Sequence, residues 1–228
     1  MLKLYYSPGA CALASHIAFE EAGADYEGVK IDLKKGEQKT PDYLAINPAG
    51  VTPALATDQG VLTENAVIMP WIADRHPETN LVPKDAFERA QMDSFNGWAG
   101  SSLHPALGRL LFSRPPLEGE AKEAALKAVK DKLTLAEQHL LKGPFVMGEQ
   151  YTVADGYLSV FTRWSRQAGF LDAGEFPKLN AHLDAVQARP AVQRALKAQG
   201  IEPVGGCPPV AHRRLSTSPR MRACTPSD

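Results

Sequence analysis

Short apolar stretches separated by polar turns divide the first 76 residues into small elements. Alternating apolar positions predict strands, and apolar positions three and four residues apart predict helices. In chain order, the pattern predicts a strand at 2–6, a helix at 11–23, a strand at 26–33, a helix at 41–46, a hairpin at 53–63 and a helix at 64–75. This βαβαββα order is typical of an α/β domain, which we expect over residues 1–76.

Helical spacing replaces strand patterns in the rest of the chain. Residues 77–84 contain two prolines among polar residues and predict a linker. Beyond the linker, helices are predicted at 85–112, 118–141, 152–169, 177–188 and 190–199. Gly97, Gly100 and Pro105 are expected to bend the first of these, and Thr152 and Asp155 form a capping box. We therefore expect an all-helical domain over residues 85–201.

The last segment, residues 202–228, has a different composition. Proline, glycine, serine, threonine and arginine dominate, and apolar residues follow no period. Such a segment buries too little apolar surface to fold, so we expect disorder. Its basic character leaves contact with nucleic acid open, but a solvated appendage is the favoured interpretation.

Composition restricts the classes of function. The 228 residues carry a formal net charge of -1, so no overall field attracts nucleic acid or an acidic membrane. No apolar run is long enough to span a membrane, and no secretory signal pattern is expected at the start. The three cysteines, Cys11, Cys207 and Cys224, are too few for a disulfide framework. A reducing, cytoplasmic location is therefore expected.

Cys11 is the strongest candidate for chemistry. It follows a strand and a Pro-Gly turn, and it stands where a helix is predicted to begin. The positive end of a helix dipole and unpaired N–H groups favour the thiolate, which is the reactive form of cysteine. We therefore expect a reactive thiol. The alternative is a small buried cysteine on the helix face.

Four segments in order resemble bacterial, beta-class glutathione S-transferases. They are YYSPGACALASHI at 5–17, NPAGVTPAL at 47–55, LTENAVI at 62–68 and TVADGYL at 152–158. The resemblance covers about residues 2–200. It implies a thioredoxin-like first domain, a helical second domain, a homodimer, and glutathione as co-substrate. The histidines show no metal-ligand spacing, so no metal is expected.

The resemblance also assigns candidate site residues. It implies that Cys11 and His104 act at the glutathione sulfur. The backbone before a cis Pro53, at Thr52, would pair with the glutathione backbone. The remaining glutathione-binding candidates are Glu64 and Asn65 for the γ-glutamyl group and Lys35 for the glycyl carboxylate. The family commonly has serine or another small residue where this chain has Asn65, which can still donate a hydrogen bond.

Several of these residues have other interpretations. Tyr6 and Ser7 compete with Cys11, because related classes stabilise the thiolate with a hydroxyl in this region. Trp164 is predicted either to line the cleft or to belong to the core. The purely structural alternatives are a trans Pro53, a helix-capping role for Glu64 and Asn65, a solvated Lys35 and a partly buried His104.

Three functional hypotheses follow. The first is a glutathione transferase that conjugates glutathione to small apolar electrophiles, with the second domain forming one wall of the electrophile site. The second is a related redox enzyme, in which Cys11 forms a mixed disulfide with glutathione and reduces disulfides or peroxides. The third is a non-enzymatic ligand carrier or interaction protein on the same fold.

Overall fold

A four-stranded sheet organises the first domain in the computed structural model, which describes residues 1–205. The first domain contains β1 (Leu2–Tyr6), α1 (Leu13–Ala22), β2 (Tyr26–Lys30), α2 (Pro41–Ile46), β3 (Ala54–Thr57), β4 (Gly60–Thr63) and α3 (Asn65–Arg75). The strand order is β2-β1-β3-β4. Strands β1 and β2 pair in parallel, and the pairs β1–β3 and β3–β4 are antiparallel. The predicted βαβαββα order is confirmed.

Helix α1 lies between the two domains. It packs on α3 of its own domain and on two helices of the second domain, Val153–Gln167 and Pro190–Gln199. The sequence pattern predicted an amphipathic helix, but every residue from Leu13 to Phe19 is buried. A helix buried all round is a core helix. The segment before α1 is therefore held at the junction of the two domains.

Two predicted boundaries in the first domain are wrong. The helix predicted from Cys11 begins at Leu13, because the preceding residues form tight turns with bonds three residues apart. The strand predicted to reach residue 33 ends at Lys30. Asp32 ends it, because its carboxylate accepts the backbone N–H groups of Lys34 and Lys35 in a turn.

The second domain is helical throughout its described part. It contains α4 (Ala86–Trp98), α5 (His104–Phe112), α6 (Gly119–Leu135), α7 (Val153–Gln167), α8 (Pro177–Gln187) and α9 (Pro190–Gln199). Its core surrounds α7, of which every residue from Val153 to Arg166 is buried. Within residues 1–205, no helix combines the length and apolar character needed to cross a membrane.

The long helix predicted over residues 85–112 is divided. A π-helical turn, Ala99–Leu103, separates α4 from α5. Pro105 has no N–H for a bond to residue 101, so the regular ladder cannot continue there. The bend expected from Pro105 is thus present as a change of helical type, and π turns are frequent at functional sites. The turn places His104 at the start of α5.

The other helical boundaries depart less from the pattern. The helix predicted over 118–141 becomes π-helical at Ala136–Leu140. The capping box of α7 is confirmed. The Asp155 carboxylate accepts the Thr152 N–H at 2.7 Å and the Val146 N–H at 2.7 Å. This fully buried carboxylate therefore fixes both the start of α7 and the loop before it.

The segment expected to be disordered begins as anchored chain. The backbone N–H of Val204 donates to Gln187 at 2.7 Å, and its carbonyl accepts from Gln187 at 3.2 Å. Paired backbone groups thus hold Val204 against Gln187, while the disordered tail expected over residues 202–228 stays a prediction. The expectation for the rest, including Cys207 and Cys224, lies outside the described residues.

Candidate active site

The turn that carries Cys11 is built from backbone hydrogen bonds. Ala10 N–H donates to the Ser7 carbonyl at 3.1 Å, and Leu13 N–H donates to the Ala10 carbonyl at 3.0 Å. Gly9 between them has φ of 71°, a left-handed conformation that glycine adopts without strain. Cys11 thus lies one residue before Ala12, the N-cap of α1, and not inside the helix.

The surroundings of the Cys11 thiol disfavour the thiolate, whereas the sequence predicted that the thiolate is favoured. It donates to the Thr52 carbonyl at 3.5 Å. Burial raises the pKa of the Cys11 thiol to about 11, and the nearby Glu64 carboxylate acts in the same direction. A contact with the Asn65 amide lowers the pKa by less. The expected thiolate is therefore corrected: Cys11 is a neutral thiol at pH 7.

Thr52 and Pro53 are joined by a cis peptide bond, as the resemblance implied. Both residues are buried, and the Thr52 carbonyl faces the Cys11 thiol. Gly50, Val51 and Thr52 form one wall of the cleft beside Cys11. The Thr52 carbonyl of this wall faces Cys11, whereas the Val51 carbonyl accepts the Tyr43 hydroxyl and the Asn47 amide, each at 2.7 Å.

The structure separates the environments of Glu64 and Asn65. Glu64 has φ of 69° and ψ of 126°, and its exposed side chain caps no helical N–H group. Such a conformation in a non-glycine residue costs about 1–3 kcal/mol and is typical of functional sites. Asn65 is buried, and its side-chain oxygen accepts the Ser15 hydroxyl at 2.7 Å. Asn65 therefore supports α1 from behind Cys11.

Lys35 does not line the cleft. Its ammonium group lies 3.7 Å from Asp32, and three quarters of its side chain is exposed, at 74%. The neighbouring Lys34 does line the cleft, together with Lys30 and Gln38. The side-chain oxygen of Gln38 is buried without a hydrogen-bond partner. The cleft is thus lined by two lysines and a glutamine near this loop, but Lys35, the lysine predicted from the sequence, is not among them.

Aromatic side chains of the second domain form the opposite wall. The ring centroid of Trp164 lies 5.6 Å from that of His104 and 5.3 Å from that of Phe112. The indole N–H of Trp164 donates to the Gly9 carbonyl at 2.8 Å. Burial lowers the pKa of His104, against a smaller opposing effect of Glu64. His104 is therefore a neutral hydrogen-bonding group at pH 7.

The two competing hydroxyls lie in different places. Ser7 lines the cleft with Cys11. Tyr6 is buried, its hydroxyl donates to the Ala198 carbonyl at 3.5 Å, and its ring packs against His16. Burial raises the pKa of the Tyr6 hydroxyl. The structure therefore keeps Ser7 beside the cleft and directs Tyr6 toward α9.

These walls enclose one open cleft of about 680 Å³ at the junction of the domains. Its lining residues on the first domain are Ser7, Pro8, Gly9, Ala10, Cys11, Lys30, Asp32, Leu33, Lys34, Gln38, Gly50, Val51 and Thr52, and on the second His104, Phe112 and Trp164. The charged and polar side chains lie on the first-domain side of the cleft, and the aromatic rings lie on the second-domain side. Over residues 1–205, no three His, Cys, Asp or Glu side chains are grouped to hold a metal ion.

Sequence reasoning missed the contribution of α9 to this site. The Gln199 side-chain oxygen accepts the Gly9 N–H at 2.9 Å, and its amide group donates to His16 Nδ1 at 3.0 Å. Gln199 is 190 residues from Gly9 in the chain, so no local pattern links them. A polar residue in the last turn of a helix gives no signal by itself.

Comparisons with known proteins agree on one family. Residues 1–74 match the family model of the glutathione S-transferase N-terminal domain, and residues 119–185 match that of the C-terminal domain. The chain is 35% identical over 204 residues to glutathione S-transferase GstA of Escherichia coli O157:H7, with 88% of this chain and 100% of the relative covered.

Solved structures give the same result. A bacterial beta-class glutathione S-transferase of Sphingomonas chungbukensis superposes with a TM-score of 0.79 at 40% identity, covering 88% of this chain and all of that one. A glutathione transferase homologue from Sulfitobacter with bound glutathione superposes with a TM-score of 0.80 at 33% identity. That match covers 89% of this chain and 99% of the other.

Proposed function

The chain belongs to the glutathione S-transferase family, and from this premise we propose that it binds glutathione beside Cys11 and transfers the glutathione sulfur to an apolar electrophile. One observation carries the proposal. The Cys11 thiol and the His104 ring border the same cleft, together with the Thr52 wall. A conjugating enzyme needs neutral donors around the sulfur and an apolar surface opposite it, and this cleft offers both.

The reaction requires the glutathione thiol to lose its proton. The proton passes to solvent, the thiolate attacks the electrophilic carbon, a carbon–sulfur bond forms, and the leaving group departs with its bonding electron pair. No group of the protein is oxidised or reduced. The protein lowers the free energy of the thiolate and holds it in line with the electrophile.

Cys11 serves this reaction as a hydrogen-bond donor and not as a nucleophile. Its pKa of about 11 keeps its proton in place at pH 7. The S–H group turns from the Thr52 carbonyl to the glutathione sulfur and stabilises the glutathione thiolate, whereas a Cys11 thiolate would repel it. His104, which burial keeps neutral, supplies a second donor from the other domain. Cys11 and His104 thus both donate to the glutathione sulfur.

The rest of glutathione is bound along the first domain. Thr52 pairs with the backbone of its cysteinyl part, beside the cis peptide bond to Pro53. The exposed carboxylate of Glu64 receives the γ-glutamyl ammonium group. Lys34, which lines the cleft, receives the glycyl carboxylate in place of Lys35.

The electrophile occupies the aromatic half of the cleft. Phe112 is 54% exposed although it is a large apolar side chain, and it meets Trp164 edge to face. Exposed aromatic surface beside a thiol-binding site favours an apolar, ring-containing electrophile. Together with the family assignment, this favours an enzyme over the non-enzymatic carrier.

Disulfide exchange through Cys11 is a second candidate. Cys11 remains partly accessible from the cleft, so a disulfide bond between Cys11 and glutathione is sterically feasible. In that reaction, a Cys11 thiolate attacks oxidised glutathione and releases reduced glutathione. The raised pKa of Cys11 leaves little thiolate at pH 7, which slows exchange.

Association into a homodimer completes the proposal. Large apolar side chains are exposed on both domains: Val61 and Val67 on the first and Phe87, at 71%, on the second. Pairing the first domain of one copy with the second domain of another would cover them. Light scattering should then give twice the mass of one chain, and Phe87→Glu should shift the measured mass toward that of one chain.

The sparse cysteines support a cytoplasmic location.

The decisive experiment compares conjugation and exchange in the wild type and in Cys11→Ala. Conjugation of glutathione to chlorodinitrobenzene should be clear in the wild type and reduced about tenfold in the variant, through the loss of one donor at the sulfur. Reduction of a glutathione mixed disulfide should be weak in the wild type. Exchange faster than conjugation would instead favour the redox function. If Cys11→Ala conjugates at the wild-type rate, Cys11 has no part in the reaction.

A further inference from the structure

Gln199, the last residue of α9, bridges the two domains at the cysteine turn. Its side-chain oxygen accepts the Gly9 N–H at 2.9 Å, and its amide donates to His16 Nδ1 at 3.0 Å. Gln199 is 6% exposed. Both polar atoms of one buried amide are thus used, and both partners belong to the segment around Cys11. We call these three residues the Gln199 bridge.

The histidine of the bridge is fixed in one protonation state. Burial lowers the pKa of His16 to about 4, against a smaller effect of Glu20 in the other direction. Its ring packs between Tyr6 at 4.9 Å and Tyr26 at 5.5 Å, measured between ring centroids. His16 is therefore neutral at pH 7, and Nδ1 keeps a lone pair for Gln199.

Helix α9 and its N-cap residue Arg189 make further contacts with α1 besides the bridge. Arg189 binds the Glu21 carboxylate, with one contact at 2.8 Å, and Arg194 binds Glu20 at 2.7 Å. These ion pairs and a buried apolar face hold α9 on α1. These contacts attach α9 away from the cysteine turn, whereas the bridge is the contact by which α9 reaches Gly9.

The Gly9 main chain is held on both sides by the second domain. Gln199 takes its N–H, and the Trp164 indole donates to its carbonyl at 2.8 Å. Gly9 has φ of 71°, and a glycine restricts its own backbone less than other residues do, so contacts to Gly9 from outside help to fix the turn. Two contacts from α9 and α7 therefore set where the next residues lie.

We propose that Gln199 is a positioning residue, which fixes the cysteine turn so that Cys11 meets the glutathione sulfur at the correct distance from His104. The inference rests on the proposed role of Cys11. Gln199 itself touches neither the cleft nor the reacting atoms. Losing it frees the Gly9 N–H and lets the turn shift against the second domain, and a shift of an ångström at a donor lowers turnover strongly.

Three variants separate positioning from folding. Gln199→Met keeps the size and helical preference of the side chain and removes both hydrogen bonds. Gln199→Glu keeps an oxygen for the Gly9 N–H, and His16 can turn its proton to Nδ1 to meet the carboxylate. Gln193→Met makes the same replacement on the exposed side of α9 and is the matched control.

The kinetic test measures conjugation of glutathione to chlorodinitrobenzene in the full chain. We expect Gln199→Met to lower kcat about tenfold with a nearly unchanged KM for glutathione, and to move the pH profile of kcat/KM to higher pH as the donor loosens. Gln199→Glu should recover most of the loss, and Gln193→Met should behave as the wild type. Equal losses in Gln193→Met and Gln199→Met, or no recovery in Gln199→Glu, would overturn the inference.

A second readout does not depend on turnover. The rate of iodoacetamide addition at Cys11, followed by peptide mass spectrometry, should rise several-fold in Gln199→Met and stay unchanged in Gln193→Met, because a freed turn exposes the thiol. If the wild type is active but Gln199→Met alkylates at the same rate and has the same kcat, the positioning role of Gln199 is refuted and the proposed function is not. An inactive wild type would overturn the proposed function, and alkylation would still decide the bridge.

Discussion

The indole N–H of Trp164 donates to the Gly9 carbonyl at 2.8 Å, while its ring forms part of the aromatic wall of the cleft. One side chain of the second domain thus has two functions: it shapes the electrophile side and restrains the turn that carries Cys11. Side chains of both domains therefore determine the geometry of the cleft. Its two functions can be separated by mutation.

Trp164→Phe should remove the restraint and keep the aromatic wall. We expect kcat for conjugation to fall about fivefold, since one buried hydrogen bond contributes about 1 kcal/mol, while KM for the electrophile changes little. Initial rates with varied electrophile check this. Trp98→Phe, on α4 outside the cleft, is the control. A rise in the electrophile KM with unchanged kcat would mean that the ring and not the N–H is important.

The pH dependence of Cys11 reactivity should show its raised pKa. With a pKa of about 11, the thiol stays protonated through neutral pH, so its alkylation rate should still be rising above about pH 9, where an unperturbed cysteine levels off. Peptide mass spectrometry at Cys11 measures the rate, and the same residue in the urea-unfolded chain is the reference. If the alkylation rate of the folded chain levels off at a lower pH than that of the unfolded chain, Cys11 has the lowered pKa and the thiolate expected from the sequence.

Glutathione binding should depend on Lys34 and not on Lys35. Lys34→Ala should raise the glutathione KM about fivefold with little change in kcat, because an exposed charge pair contributes about 1 kcal/mol. Lys35→Ala removes the partner of Asp32 at the surface and should leave KM unchanged. Steady-state rates at varied glutathione distinguish them. A larger effect of Lys35→Ala would mean that the loop rearranges when glutathione binds.

The buried pair of Ser15 and Asn65 should stabilise the fold. Ser15→Ala and Asn65→Ala each leave a buried polar atom without its partner, which costs about 1–3 kcal/mol in the free energy of unfolding. Urea unfolding measures the loss, and the double variant should lose less than the sum. The exposed Ser94→Ala is the control and should change stability by less than about 0.5 kcal/mol. Additive losses would show that the two side chains act independently.

Much of the fold could be read from local patterns. Apolar spacing gave the βαβαββα order and the helical second domain, because the periods of strands and helices are properties of a few consecutive residues. Boundaries were less accurate. The start of α1 and the end of β2 depend on turn hydrogen bonds, and a π turn before His104 divides a helix that the spacing predicts as continuous.

The sequence by itself determined where Cys11 stands, after a strand and a Pro-Gly turn, and which family the chain resembles. Only the tertiary structure decided its chemistry. Burial beside Thr52 raises the pKa of the thiol, opposite to the effect expected from a helix start. It also decided that Lys34 and not Lys35 faces the cleft, and that Gln199 reaches Gly9 from 190 residues away. Burial and distant contacts depend on how whole elements pack, and no short stretch of sequence contains that information.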